Sequence, residues 1–347
     1  MMSFFSDTFN FIKKNKKVIL STSTIIIGAS ASVYYYLKSK EKCINDNLND
    51  WENEYAEKLC ILKKKHEYLL SAYSCARHEK MKEYYQKILN ELDESYDVES
   101  IKENIKNAEN TTARASEFSK LGKIIIARDV SFSVISCFMI IALECQANVI
   151  AYEMSHQSGL KTSSTSTDSE AYFTQTFLEM ISLFASKNNL RNIINKIDEI
   201  VFTDMEIVDL KKSFSKEEFI KMLTQFGNAI LQDDYFKNIS NKFVPNMKFV
   251  RQQQVELIVL FEEYVDLIDT IQQSGIINLL VEKYLLTFGN LICDKLESNN
   301  AYYIELLPKI TETYEHGVRK NKNFDCSEII KEIQEICYDK LINKKYI

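Results

Sequence analysis

The side chains of this chain that could do chemistry are scattered along the sequence. Histidine is the side chain best suited to proton transfer near neutral pH, and it is the commonest metal ligand. No histidine here lies four residues from another or directly beside a cysteine. The four are His66, His78, His156 and His316. The sequence therefore lacks the pairs that hold a metal or activate a nucleophile.

Two pairs of adjacent carboxylates are the remaining candidates for acid–base chemistry, at Glu217 with Glu218 and at Glu262 with Glu263. Neighbouring side chains on a helix point about 100° apart, so neither pair converges on one substrate. We interpret both pairs as solvated helix faces. The chain also lacks the GxSxG, GxxxxGKS/T and GxGxxG motifs. We expect a protein that is not an enzyme, with no catalytic residue, no metal and no cofactor.

The eight cysteines form no CxxC pair and no cluster with histidine at zinc spacing. They stand at positions 43, 60, 75, 137, 145, 293, 326 and 337. We predict that they are reduced thiols, mostly packed in the interior of a protein that faces the cytosol.

The composition predicts a helical fold. Only 7 glycines and 2 prolines occur in 347 residues, which is too few turn residues for a many-stranded sheet. Apolar residues make up 46% of the chain, enough to fill a core. The net charge of -6 is mild, and no stretch interleaves arginines with aromatic residues. Nucleic acid is therefore not an expected partner.

Apolar residues repeat at steps of three and four from Trp51 to Tyr73, which places them on one side of a helix. Further helices are predicted at 81–92, 98–107, 171–186, 190–202, 216–231, 251–274, 276–296, 302–314 and 326–342. The polar stretch NAENTTARAS at 107–116 indicates a loop or a frayed helix start, and the Ser/Thr-rich stretch at 158–170 a mobile loop. No period repeats, so we predict one irregular elongated bundle.

Residues 121–154 form a strongly apolar stretch that could be mistaken for a membrane span. Arg128 and Asp129 interrupt it early, and Glu144, Gln146 and Asn148 interrupt it late. The uncharged run between these groups is shorter than the roughly 20 apolar residues that a span requires. We predict that this stretch is the central helix of the bundle.

The N-terminal segment FIKKNKKVILSTSTIIIGASASVYYYLKSK has lysines on both sides of an apolar run. Residues 18–37 carry no charge, and as a helix they are about 30 Å long, which matches the hydrocarbon core of a bilayer. Tyr34, Tyr35 and Tyr36 followed by Lys38 are typical of a membrane interface. We predict a permanent transmembrane anchor.

Two other interpretations of this segment compete with the anchor. A cleavable signal peptide agrees with the ASA sequence at 29–31 and with possible glycosylation sites at Asn110 and Asn238. A secreted chain would nevertheless be expected to pair its cysteines, and the apolar run continues past the cleavage site. A core helix of a soluble domain should not have lysines on both flanks. The domain plan is a basic targeting segment at 1–17, an anchor at 18–37 and a helical domain at 38–347.

Two blocks of the chain resemble the peroxin-3 family, which anchors the assembly of peroxisomal membranes. The first block, residues 9–40, has an aromatic residue, a basic cluster and a span in the order of the family. The second block is residues 118–152, and YYIELLPKI at 302–310 is a looser match. The positions of the second block that fit the family pattern are Leu121, Arg128, Cys137, Gln146 and Asn148.

The resemblance implies a single-pass peroxisomal membrane protein with a cytosolic all-helical domain. The protein would enter that membrane directly or via the endoplasmic reticulum. It also implies an apolar groove that binds an amphipathic helix of peroxin-19, the soluble shuttle for newly made peroxisomal membrane proteins. The groove positions are Ile101, Ile105, Arg114, Phe118 and Leu121, and Phe118 stands where the family usually has tryptophan. Lys13, Lys14, Lys16 and Lys17 would belong to the targeting unit.

Other partners implied by the resemblance are the lipids of the peroxisomal membrane and the adaptors of peroxisome inheritance and autophagy. The lysines on the two sides of the predicted anchor number four and three, so charge does not decide which way the N-terminus faces. An alternative function is a membrane-anchored helical tether or scaffold of another organelle. A secreted helical protein is a third, weaker alternative.

Overall fold

The structure, a computed structural model, describes most of the chain after residue 50. The described residues are 51–157, 176, 177, 179, 182, 184–205, 210–238, 242, 255–318 and 326–346. The predicted targeting segment at 1–17, the predicted anchor at 18–37 and the predicted loop at 158–170 lie outside this set.

The described residues form an all-α fold with one small β-ladder, which confirms the all-α part of the predicted fold class. The helices are α1 Trp51–Ser95, α2 Val98–Asn107, α3 Thr111–Gln157, α4 Lys187–Met205, α5 Lys216–Gln232, α6 Asp234–Lys237, α7 Val255–Ser274, α8 Ile276–Cys293, α9 Tyr303–Thr313 and α10 Ser327–Tyr346. A π-helical turn, Tyr314–Val318, follows α9 directly. The strands are β1 Ser213–Ser215 and β2 Asn300–Tyr302.

Three features differ from the prediction. Helix α1 continues without a break to Ser95, because residues 74–80 contain neither glycine nor proline to end it. The stretch NAENTTARAS is helical from Thr111 onward, because Asn110 caps the start of α3. The Asn110 side-chain Oδ1 accepts a hydrogen bond from the Ala113 backbone N–H at 2.8 Å. The β-ladder was not predicted, since two strands of three residues give no readable alternation.

Strands β1 and β2 pair antiparallel, with Phe214 opposite Ala301. Each strand leads directly into a helix. At the start of α5, Ser215 and Glu218 cap each other in a capping box. At the start of α9, the Tyr302 backbone N–H donates to the Glu305 side chain at 3.0 Å. The ladder therefore fixes where α5 and α9 begin.

The chain divides into two compact units. Unit 1 comprises residues 1–80 and 146–176, and unit 2 comprises residues 81–145 and 177–347. The prediction of one domain over 38–347 stays a prediction. In unit 1, an apolar cluster joins the first part of α1 to the last part of α3 through Leu69, Leu70, Ala147 and Ala151. The Lys65 ammonium donates to the Ser155 carbonyl at 2.7 Å, near the end of α3.

In unit 2, helices α5 and α8 pack against each other in antiparallel directions. They approach closely because glycines lie at their contact. A Cβ at Gly227 of α5 would come within 2.6 Å of the Leu285 side chain of α8, and one at Gly289 of α8 within 2.9 Å of Ile220 of α5. Gly275 joins α7 to α8 with φ of 77°, a left-handed conformation that glycine adopts without strain.

Helix α3 is the centre of the core of unit 2. From Ile125 to Cys145 every side chain is buried, and the Phe138 ring stacks on Phe236 with centroids 5.9 Å apart. Two described helices are long and apolar enough to cross a membrane, at Thr111–Ser155 and Ile276–Cys293. In the first of these, 94% of the apolar window is buried inside the protein. This burial agrees with the interpretation of α3 as a core helix.

Candidate functional site

The five residues predicted to form the binding groove lie on two consecutive helices, α2 and α3, which are separated only by residues 108–110. Ile101 and Ile105 are one turn apart on α2, so they share a face. Arg114, Phe118 and Leu121 follow each other at steps of four and three in the first turns of α3. These three therefore also share a face.

Exposure falls steadily along that face of α3. Arg114 is exposed, Phe118 is half-buried and Leu121 is buried. On α2, Ile101 and Ile105 are half-buried, whereas Val98 at its start belongs to the core. Phe118 and the two isoleucines thus keep part of their apolar surface accessible to solvent, and Leu121 does not.

Charged side chains lie on both helices beside these five residues, Ile101, Ile105, Arg114, Phe118 and Leu121, which together we call the α2–α3 corner. Lys102 forms an ion pair with Glu99 at 2.6 Å, and Lys120 forms one with Glu117 at 2.5 Å. The Arg114 guanidinium forms no ion pair with any described residue. Exposed apolar area beside an available cation is a surface that an amphipathic helix with acidic residues could cover.

Gly122, directly after Leu121, allows Tyr303 of α9 to approach α3. A Cβ at Gly122 would lie 2.9 Å from the Tyr303 ring, so the aromatic ring occupies the space that any other residue would fill. Tyr303 is buried. The start of α9 is therefore packed against α3 one turn beyond Phe118.

A buried polar cluster lies one to two turns further along α3, and sequence reasoning did not predict it. It consists of Arg128, Asp129, Tyr303 and Tyr314. The Arg128 guanidinium stacks over the Tyr314 ring at 3.7 Å from its centroid, a cation–π contact. Arg128 Nε lies 3.7 Å from Asp129 Oδ1, with side-chain exposures of 4% and 0%. That distance exceeds a hydrogen bond.

The Asp129 carboxyl group is poorly solvated in this cluster. Neither of its oxygens has a hydrogen-bond partner among the described residues. Burial raises its pKa from the ordinary value of 3.8 to about 8, although the Arg128 charge lowers it. The Glu315 charge raises the pKa further. Asp129 therefore changes charge near neutral pH.

A second buried network joins α4 to α3 through Tyr96, which lies between α1 and α2. The Tyr96 hydroxyl donates to the Asp198 carboxylate and lies 3.1 Å from Ser131 Oγ. Burial raises the pKa of Asp198 to about 6, and the hydrogen bond from Tyr96 opposes that rise. The network supplies polar partners in the interior without forming an open site.

One interpretation made from the sequence is wrong. Glu263 is buried on α7, so the pair Glu262 with Glu263 is not a solvated face, although Glu262 itself is exposed. His66 on α1 is also buried. For both residues the helical spacing was readable, but spacing does not show whether a polar side chain on an apolar face is buried.

The predicted targeting residues Lys13, Lys14, Lys16 and Lys17 lie outside the described residues, as do the interface residues Tyr34, Tyr35, Tyr36 and Lys38. Within the described part of the chain, no three histidine, cysteine or acidic side chains are grouped to hold a metal.

Comparison with protein-family models found no match to the chain, and comparison with curated proteins found none either.

Proposed function

We propose that the protein is a non-enzymatic docking receptor of the peroxisomal membrane, as the resemblance to the peroxin-3 family implies. Its N-terminal segment would anchor it, and the α2–α3 corner would bind the amphipathic helix of peroxin-19. The observation that carries the proposal is the position of Phe118, half-buried on α3 between exposed Arg114 and buried Leu121. An aromatic side chain in this setting has apolar area left to bury against a partner.

The chemistry of the α2–α3 corner suits helix recognition. Half-buried Ile101, Ile105 and Phe118 provide apolar contacts, and the Arg114 guanidinium provides a charge that can pair with an acidic side chain at the rim. A few such anchor residues dominate the affinity of most protein interfaces, and aromatic residues are enriched among them. A shuttle must also be released, so a small interface with a fast off-rate fits the role.

The test is binding of a peptide with the sequence of the peroxin-19 amphipathic helix to the full chain in detergent micelles. Phe118→Glu should weaken binding by at least about 30-fold, since loss of a central aromatic contact costs about 2 kcal/mol or more. Phe118→Trp, which introduces the residue usual in the family, should retain binding. Leu279→Glu is the matched control, because Leu279 is an exposed leucine on α8, 52% accessible.

Two outcomes would contradict the proposal. Unchanged affinity of Phe118→Glu, with the helical circular dichroism intact, removes the α2–α3 corner as the binding site. A tagged full chain that resides in mitochondria or the endoplasmic reticulum at steady state supports the alternative, a tether of another organelle. Replacement of Lys13, Lys14, Lys16 and Lys17 by glutamine tests targeting separately, because those residues lie far in sequence from the corner.

A further inference from the structure

Two buried thiols face each other between α3 and α10. The Cys145 Sγ lies 3.9 Å from the Cys337 Sγ, and the residues are 192 positions apart in the sequence. Both side chains are 0% exposed. A disulfide has its sulfurs about 2.05 Å apart, so bond formation requires them to approach by about 1.9 Å. The pairing results from the fold and gives no sequence signal.

A partly buried hydrogen bond fixes the position of α10 at this level of α3. The Gln334 side-chain Nε2 donates to Glu144 Oε2 at 2.8 Å. Glu144 is the neighbour of Cys145, and Gln334 precedes Cys337 by about one turn of α10. The contact therefore holds the two sulfurs at matching heights whenever α10 is docked.

A second pair of buried cysteines comes from the same two parts of the fold. Cys137 lies two turns before Cys145 on the same face of α3, and Cys326 lies directly before α10. Both are buried. Burial raises the pKa of the Cys137 thiol, and the nearby Cys326 raises it further. The segment 326–337 thus meets α3 at two levels through cysteines.

The thiols are protected while α10 is docked. Burial raises the pKa of the Cys145 thiol, and the neighbouring Cys337 adds to the effect. Because the thiolate is the reactive form, a buried thiol of this kind reacts slowly with oxidants. A single helix can open locally at a lower free energy than the whole fold. Opening of α10 would expose Cys337 to solvent. Redocking of α10 would then bring Cys337 back beside Cys145.

We infer that Cys145 and Cys337 form a reversible disulfide on exposure to a hydroperoxide, and that this bond fastens α10 to α3. In the first step, the Cys337 thiolate attacks the peroxide, an S–O bond forms and the O–O bond breaks. The leaving oxygen takes a proton as water or an alcohol. In the second step, the Cys145 sulfur attacks the sulfenic sulfur, the S–S bond forms and a water leaves. Two thiols are oxidised by two electrons, and the peroxide is reduced.

The bond would change the dynamics of α10 rather than its structure. The linked residues enclose most of unit 2, and closing a long loop disfavours open conformations. Backbone amides around Cys337 should therefore exchange with deuterium about 30-fold more slowly, or slower still, in the oxidised protein. A dithiol reductant should reverse the effect.

The test is treatment of the full chain in detergent with hydrogen peroxide, followed by alkylation, digestion without reductant and mass spectrometry. A linked peptide pair containing Cys145 and Cys337 is expected, and modest urea should accelerate its appearance because urea favours opening of α10. Cys337→Ala and Cys145→Ala should each abolish the pair. Cys60→Ala is the matched control. Cys60 is exposed, so it should be oxidised in the wild-type protein, and its removal should leave the link between Cys145 and Cys337 unchanged.

Two results would overturn the inference. One is oxidation of Cys60 in folded protein with no linked pair at any urea concentration that leaves the helical signal intact. The other is formation of the pair only in fully unfolded protein, together with random cysteine pairings. If an alanine variant fails to fold, trapping of the pair in wild-type protein and the dithiol-reversible slowing of hydrogen exchange still decide the question.

Discussion

Replacement of Asp129 by asparagine tests the buried polar cluster, because the variant keeps the shape of the side chain and removes its titration. The pKa of Asp129 is about 8 in the folded protein, against an ordinary value of 3.8. Between these values the unfolded chain releases the proton while the folded protein retains it. Stability linked to this group is therefore fully present below about pH 4 and is lost as the pH rises to about 8.

The magnitude follows from this pH window. Each pH unit inside it lowers the free energy of unfolding by about 1.4 kcal/mol. From pH 5 to pH 7.5 the wild-type protein should therefore lose about 3 kcal/mol relative to Asp129→Asn. The charges that act on Asp129 are those of Arg128 and Glu315, and the Asp129 charge in turn raises the pKa of the Tyr303 hydroxyl. Because the variant leaves all three in place, the difference reports Asp129 itself.

The assay is urea unfolding of both proteins at several pH values, monitored by circular dichroism. Asp198→Asn is the comparison variant, since the pKa of Asp198 is raised only to about 6. The difference in the free energy of unfolding between Asp198→Asn and the wild type should stop changing above about pH 6. The same difference for Asp129→Asn should continue to change up to about pH 8. If the free energies of unfolding of the wild type and Asp129→Asn differ by the same amount at pH 5 and pH 7.5, the reasoning for Asp129 is refuted.

Two further substitutions test packing and capping. Gly122→Ala should destabilise the protein by about 1 to 3 kcal/mol, because the new Cβ meets the buried Tyr303 ring. Gly317→Ala is the matched control, since its Cβ would meet only Thr313 Cγ2 at an ordinary 3.7 Å. Asn110→Ala should cost about 1 kcal/mol through loss of the cap of α3, measured by urea unfolding, and Asn110→Ser should restore most of it.

Helical periodicity located most of the helices in the part of the chain that the structure describes. The strong patterns at 98–107 and 276–296 correspond to α2 and α8 within a few residues. The start of α3 was harder to predict, because alanine, serine and threonine dominate residues 111–116 and carry no apolar stripe. The signal that could have found it was Asn110, a preferred N-cap residue before a run without glycine or proline.

The polar interior of unit 2 could not be predicted in the same way. Arg128 and Asp129 are adjacent in sequence, so helical geometry alone directs them to different faces of α3. Their burial depends on Tyr303 and Tyr314, which lie about 180 residues later in the chain. Periodicity reports contacts within a helix, and it contains no information about a partner that distant.

The contacts of α3 with the end of the chain occur in one consistent order. Gly122 meets Tyr303, Arg128 meets Tyr314 and Cys145 meets Cys337, so both sets of numbers rise together. The described segments 303–318 and 326–337 therefore contact α3 in the direction of its own chain, along the helix that is apolar enough to cross a membrane. Parallel contacts between such distant segments form late in folding, because a long loop must close first. Until the segments 303–318 and 326–337 have docked, the apolar surface of α3 that they contact lacks the cover that the folded protein supplies.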